Sequence, residues 1–502
     1  MKPKIIDVQA RKGRARGDHL IIRWLVSAFL VLAKHISLTF GLAGIMLLSF
    51  TPASAETVPD SAAEKPAPPQ PSLLLELPVL DSPFNTAHGF SFPSMNQSFA
   101  ITGGVTQGIH RTLAVLWKPR VSDRSIEGLF SNRRLGGLCS SILLFDALSP
   151  FPGWTHEEGH RAVLSRRGIS SRDDIYRNPF AKMVSVSHVR DEDLAWLKDR
   201  YPADMVRLAE AGGEAQVESV LRMRKDNFFG GRSSHCDLLD WWINLGTLGY
   251  YVWLCGDDEV NRITEEETRK EDADIAKRDI VGGDYLSWVY DLHRPDEPYL
   301  SGLRGRPHPS GVGVDRYIQP SELTSEERRY LKLQGRLFFL NLLSPQMFGF
   351  DGFHGTDPIT RHPCRWNVAV THHLTSFGTA TGIHLFYKQG KTNLGFTYNS
   401  YLARYKYWPG LSVELVRYAI GVGGKTLAVS GSASAWLQPA EQRFASTKAQ
   451  AGYGLALGAA YPLTRQLAWS LEGEAKSKGW VAGNVYLEPA VQARTGIDFS
   501  IK

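Results

Sequence analysis

His156, Glu157 and His160, within Trp154-Thr-His-Glu-Glu-Gly-His-Arg-Ala-Val-Leu164, stand in the spacing H-E-x-x-H. On a helix, residues four apart share a face, so both imidazoles reach one Zn²⁺ while the glutamate between them addresses the water that the ion acidifies. Zinc also polarises a carbonyl, and Glu157 would take the proton on attack and pass it to the leaving amine. A structural reading competes. Thr155 with Glu158 has the form of a helix capping box, which would leave the histidines at the surface, and Gly159 weakens the helix between them. The two readings are compatible, because a cap would fix the turn that presents His156.

A catalytic zinc takes a third protein ligand and keeps a fourth position open. Residues 211 to 218 read Ala-Gly-Gly-Glu-Ala-Gln-Val-Glu. The paired glycines would let a helix approach the metal closely, with Glu214 as ligand and Glu218, one turn on, as the alternative. The arrangement resembles the gluzincin branch of the zincin metallopeptidases, whose third ligand is a glutamate on a second helix some tens of residues after the motif. That resemblance carries over residue by residue to His156, Glu157 and His160, and loosely to Glu214. The metzincin continuation is absent, since the chain runs on as Arg161-Ala-Val-Leu-Ser-Arg-Arg. His188, His235 and the His372-His373 pair could bind a metal or assist an oxyanion, but isolated histidines more often face solvent or are satisfied in the core; Asp315-Arg316-Tyr317 receives no role.

Helical periodicity must position these residues, and it dominates from 79 to 362. Asp191-Glu-Asp-Leu-Ala-Trp-Leu-Lys opens on acidic residues, and the helix from Pro202 is expected to end at Gly212-Gly213. Leu238 to Leu254 is apolar but holds Asp240 and Asn244, which predicts a buried helix rather than a membrane span. The run from Asp257 to Asp279 mixes both signs, as a solvated segment does.

From 363 to 502 the pattern changes to period two. Tyr453, Leu455, Leu457, Ala459 and Tyr461 alternate with Gly452, Gly454, Ala456, Gly458 and Ala460, and Leu467, Trp469 and Leu471 alternate with polar residues. About eight strands follow from this alternation, at 366–373, 379–389, 391–405, 410–420, 424–437, 446–461, 465–477 and 482–501. One face is apolar and aromatic; the other carries Gly, Ala, Ser and Glu, as a narrow lumen requires. Tyr401, Tyr405, Tyr407 and Trp408 would form an interfacial girdle. The pattern resembles an outer-membrane β-barrel of Gram-negative bacteria, although the terminal aromatic residue usual there is replaced by Phe499-Ser-Ile-Lys502. A soluble antiparallel sandwich with one wet face is the competing architecture.

Charge settles one exclusion. The 502 residues carry 57 Lys+Arg and 51 Asp+Glu, and the whole surplus of +6 lies in the first 55 residues. The remainder is balanced, so no nucleic-acid partner is expected. Residues 1–55 read as an export signal ending Ala53-Ser-Ala55, and 56–78 as a Pro/Ala-rich linker. Export permits disulfides among Cys139, Cys236, Cys255 and Cys364, with Cys236 and Cys255 nearest in sequence. The expected fold class is α+β: a mainly helical zincin-like domain over 79–362, then an antiparallel β-barrel of about eight strands over 363–502. The expected function is a Zn²⁺-dependent envelope metallopeptidase at the outer membrane, with a periplasmic domain and peptide or envelope-protein substrates. An outer-membrane structural or channel protein, and a zinc amidase acting on cell-wall or lipid amides, are the alternatives.

Overall fold

The computed structural model describes residues 73–83, 94–100, 104, 108, 151–177, 182–230, 237–256, 274–422 and 424–501. The expected signal, Cys139, His235, Cys236 and most of the mixed-charge run lie outside them. The chain divides into two compact units, 1–65 with His354–Cys364, and Pro66–Phe353 with Arg365–Lys502.

The second unit opens with strand β1 (Leu73–Pro83), where a linker was expected up to residue 78. Helix α1 (Phe151–Arg166) carries the H-E-x-x-H motif, and the hairpin β2 (Arg172–Arg177) and β3 (Lys182–Ser187) packs against it. Helix α2 (Asp191–Arg200) has Asp191, Glu192 and Asp193 in its first turn and Lys198 and Arg200 in its last, both signs matching the helix dipole. Helix α3 (Pro202–Gly230) runs straight through Gly212-Gly213, where it was expected to stop. Glycine weakens a helix by only about 1 kcal/mol, and burial on every side outweighs that. Residues of α3 belong to three separate parts of the core, Val217 and Val220 in one, Leu208, Ala211 and Ala215 in another, Phe228 and Phe229 in a third.

Helices α4 (Leu238–Leu254), α5 (Asp284–His293) and α6 (Ser325–Leu337) follow, the last opened by a Thr324/Glu327 capping box. Two short 3₁₀ turns, Phe338–Leu342 and Pro345–Phe348, lead out of the helical part. Helix α4 has the expected bounds, but only one of its sides is buried. Among the described residues no helix is long and apolar enough to cross a membrane. Cys255, at the end of α4, is a free and buried thiol.

Strand β4 (Phe353–Thr356) runs into the first unit, where Asp357 Oδ1 accepts from the backbone N–H groups of Ile359 and Thr360 in a tight turn. The remaining strands are β5 (Pro363–Thr375), β6 (Gly378–Gln389), β7 (Thr392–Ala403), β8 (Lys406–Val422), β9 (Lys425–Pro439), β10 (Ala449–Pro462), β11 (Leu467–Lys476) and β12 (Ala490–Ile501). Nine antiparallel strands of the second unit lie in the order β1-β12-β11-β10-β9-β8-β7-β6-β5. The first strand pairs with the last, Leu73 opposite Ile501 and Pro83 opposite Gln492.

The sheet corrects the expected barrel: it does not close, since β1 and β5 do not pair among the described residues. Outside its pairing with β4, the side of β5 away from β6 is bordered by the 3₁₀ segment instead. Val370 N–H donates to Leu343 O at 3.1 Å, Ser344 Oγ to Val368 O at 3.0 Å, and the Asn341 amide bonds both backbone groups of His372. The final expected strand is also shortened, because residues 477–489 form a loop tied by a Val481–Asn484 bridge. The two-faced alternation holds: Tyr453, Leu455 and Leu457 are exposed, while Gly452, Gly454 and Ala456 face the other way. The expected girdle does not hold as a unit. Tyr401 and Trp408 pack inside with Phe377, Trp436 and Trp480, whereas Tyr405 is 80% exposed and Tyr407 meets the Tyr398 hydroxyl.

Candidate metal centre

Two glycines bring α1 and α3 together. A Cβ at Gly159 would fall 2.4 Å from Ala211 O, and one at Gly212 would fall 2.4 Å from His156 Nε2, so the backbones approach only because both side chains are missing. The motif histidines are thereby pressed onto α3, and both are buried.

Each imidazole is held by its far nitrogen. Gln216 Nε2 donates to Asn244 Oδ1 at 2.8 Å, which leaves Gln216 Oε1 to accept from His156 Nδ1, also at 2.8 Å. His160 Nδ1 donates to Leu208 O at 2.5 Å. With both protons placed on Nδ1, both Nε2 atoms present lone pairs, and they converge on one carboxylate. Asp284 Oδ2 lies 2.9 Å from His156 Nε2 and Oδ1 lies 3.7 Å from His160 Nε2. His160 Nε2 is buried with no hydrogen-bond partner.

Asp284 arrives from the first turn of α5. Gly282, at φ +69°, turns the chain ahead of it, and the Asp284 N–H donates to Tyr251 Oη at 3.2 Å. The three ligand atoms lie within 4.8 Å of one another, so His156, His160 and Asp284 can hold a metal ion. Two neutral imidazole nitrogens and a carboxylate oxygen suit a borderline divalent cation.

The field at the centre is strong. Burial alone would raise the Asp284 carboxyl; when the imidazoles carry a second proton, His160 and His156 hold it far below the usual carboxylate range. Burial would lower His160, and Asp284 together with the Leu208 carbonyl and Asp279 outweighs it, so the net shift is upward. Glu157 is pushed well above an ordinary glutamate by burial, with Asp284, Asp279 and Asp173 adding to it and a hydrogen bond with the Val186 backbone acting against. Its side of α1 is less covered than that of the two histidines.

Of the residues expected from sequence, His156 and His160 meet and Glu157 sits between them on α1. Glu214 does not join them. Its carboxylate accepts from Arg207 Nη2 at 2.7 and 2.8 Å, from Trp480 Nε1 at 3.2 Å and from Gly483 N–H at 2.7 Å. The reason is helical phase: at about 100° per residue, Gly212 and Gln216 share the face beneath the imidazoles, and Glu214 points to the opposite side. Glu218 shares that opposite side and pairs with His373 Nε2 at 3.2 Å. Asp284 was missed. An acidic residue between paired glycines and an apolar run marks a helix start, but no spacing ties it to His156, 128 residues earlier.

The capping-box reading is also corrected. Helix α1 starts at Phe151, so Thr155 is interior, and Glu158 accepts from Trp154 Nε1 and Ser98 Oγ and pairs with Arg161. Elsewhere, His372 lies between Thr381 and Gln334, His188 (φ +63°) contacts Ser187 Oγ, and Arg316 is buried against Asp191. Compared with family models, curated proteins and solved structures, the chain matches none. The likeness to zincins therefore rests on His156, Glu157 and His160 alone.

Proposed function

We propose that this chain is a zinc-dependent hydrolase of amide bonds, acting on peptides or envelope proteins. One observation carries the reading: Gln216 and Leu208 hold both Nδ1 atoms as donors, so two bare Nε2 atoms and the Asp284 carboxylate face one point. Without a cation or a shared proton, lone pairs would oppose a carboxylate there. Zinc would supply Lewis acidity. Glu157, with its affinity for protons raised by burial and by three carboxylates, accepts the proton of the attacking water and returns it to the departing amine. An amidase of cell-wall or lipid amides would use the same groups.

The placement we propose is the outer membrane of a Gram-negative envelope. Its support is the exposed face of the sheet, where Leu455, Leu457, Leu471 and Val491 stand between 49% and 63% exposed, opposite an inner face carrying Glu414, Glu472 and Arg494. The export-like front of the sequence agrees with it.

The test is elemental analysis of the detergent-purified full chain. Stoichiometric zinc in the native protein, lost in His160→Ala and in Asp284→Ala, is the expected result. Glu157→Gln should keep the zinc and lose hydrolysis of a peptide library. A native chain that binds no zinc when offered it overturns the proposal.

A further inference from the structure

Helix α4 separates the metal centre from a large uncharged surface. Its inner side carries Asn244, bonded to the Gln216 that holds His156, and Tyr251, bonded to Asp284. Its outer side carries Trp242, Tyr250 and Trp253, at 37%, 54% and 38% exposure, with Thr247 between them. The stretch 338–350 lies beside it, with Phe339, Leu343, Phe348 and Phe350 exposed by 43% to 59%. Trp242 meets the Phe348 ring at 5.7 Å, and Gly249 lies against Phe339.

No Asp, Glu, Lys or Arg occurs from 241 to 256 or from 337 to 350. Two polar atoms on this face are satisfied internally, Trp242 Nε1 by Met347 O and Thr247 Oγ1 by Ile243 O. Contiguous exposed apolar area of this kind is costly in water and marks an interaction surface. Two observations name the occupant. Residues 341–344 bond the backbone of β5 at Val368, Val370 and His372, so the patch adjoins the sheet directly along that strand. The 17 residues of α4 span about 25 Å at 1.5 Å per residue, which is the height of the apolar band on a transmembrane sheet.

We propose that the outer side of α4 and residues 338–350 contact bilayer lipid, extending the apolar belt of the strands and leaving the metal centre one helix away from hydrocarbon. This rests on the membrane placement above. The helix needs no span of its own, since its inner side is covered by protein.

The experiment reconstitutes the full chain into vesicles of dioleoylphosphatidylcholine, with or without acyl-chain bromination, and reads tryptophan emission. Trp469, on the outward face of β11, reports the strands; Trp242 and Trp253 report the patch. Bromolipid should quench part of the native emission, and Trp469→Phe and the double variant Trp242→Phe/Trp253→Phe should each lose a portion of the quenchable signal. If only Trp469→Phe loses it, the patch does not touch lipid and the inference falls while the membrane reading stands. If bromolipid quenches nothing, both fall. A dimer in detergent that dissolves on Trp242→Asp/Trp253→Asp would mean that a second copy covers this face, and would also overturn the inference.

Discussion

Gly212 lies directly beneath His156: a Cβ at that position would stand 2.4 Å from the imidazole Nε2, and 2.6 Å from Nε2 of His160. The ligand set is thus shaped as much by an absent side chain as by those present. Gly212→Ala must displace the rings or separate α1 from α3, and overpacking of this kind costs about 1–3 kcal/mol. Zinc affinity should fall at least tenfold, and the melting temperature should drop. Gly153, earlier on α1, has nothing within 4 Å of its Cβ position, so Gly153→Ala should leave both unchanged or raise stability slightly. Competition with a chromophoric chelator measures the first effect and thermal unfolding the second; equal behaviour of the two variants would contradict the packing argument.

Asp284 and Glu214 separate by the kind of damage their loss causes. Asp284→Asn removes a charge that faces two lone pairs, and zinc should be lost with the fold retained. Glu214→Gln strips one charge from a fully buried pair with Arg207, a change that costs about 3–5 kcal/mol, yet the folded fraction should keep its zinc. Metal content normalised to folded protein distinguishes them. Zinc loss in Glu214→Gln with Asp284→Asn unaffected would restore the ligand set expected from sequence.

The stability profile with pH should carry the mark of Asp173. Burial, then the neighbouring Glu158, push its carboxyl up to about 7, against about 3.9 in an unfolded chain. Between those values the folded protein keeps a proton that the unfolded chain has released, so stability falls as pH rises from about 4 to 7 and is flat in this respect beyond. Asp173→Asn removes the titration. Its stability relative to the native chain should climb across that window, as read by urea unfolding at a series of pH values; parallel profiles would show that Asp173 ionises normally.

How far the sequence could be read depended on whether the signal was local. The strands declare themselves through period-two alternation and Gly390 at φ +55° in the β6–β7 turn. The H-E-x-x-H pair works the same way, since four residues of helix fix two side chains on one face. What escaped is set by contacts between distant segments. Strand β1 is one edge of the sheet only because its backbone meets β12, more than 400 residues later. Nothing near Asp284 says that α5 begins against α1. Closure of the sheet was inferred from strand count and failed at β5, where residues 341–344 took the edge that a strand would have needed. Glu214 was within reach of local reasoning, because helical phase alone places it opposite Gly212.

The proposed membrane placement would make the two faces of β10 unequal. Leu455 points outward, 52% exposed, while Ser432, on the neighbouring β9, lines a cavity of about 270 Å³ beside Glu414 and Glu472. A cation at Ser432 has room in a cavity lined by both signs, Glu414 and Glu472 with Arg222 and Lys225, and stays out of hydrocarbon, so Ser432→Lys should fold into vesicles about as well as the native chain. A cation at Leu455 would face hydrocarbon, where arginine costs about 2–4 kcal/mol near the bilayer midplane, so Leu455→Arg should lower the folded fraction at equal urea concentration by at least tenfold. In water the difference would vanish, since an exposed Leu→Arg change is nearly free. Refolding the two variants side by side, into vesicles and into dilute buffer, therefore tests the environment of the sheet independently of the metal site.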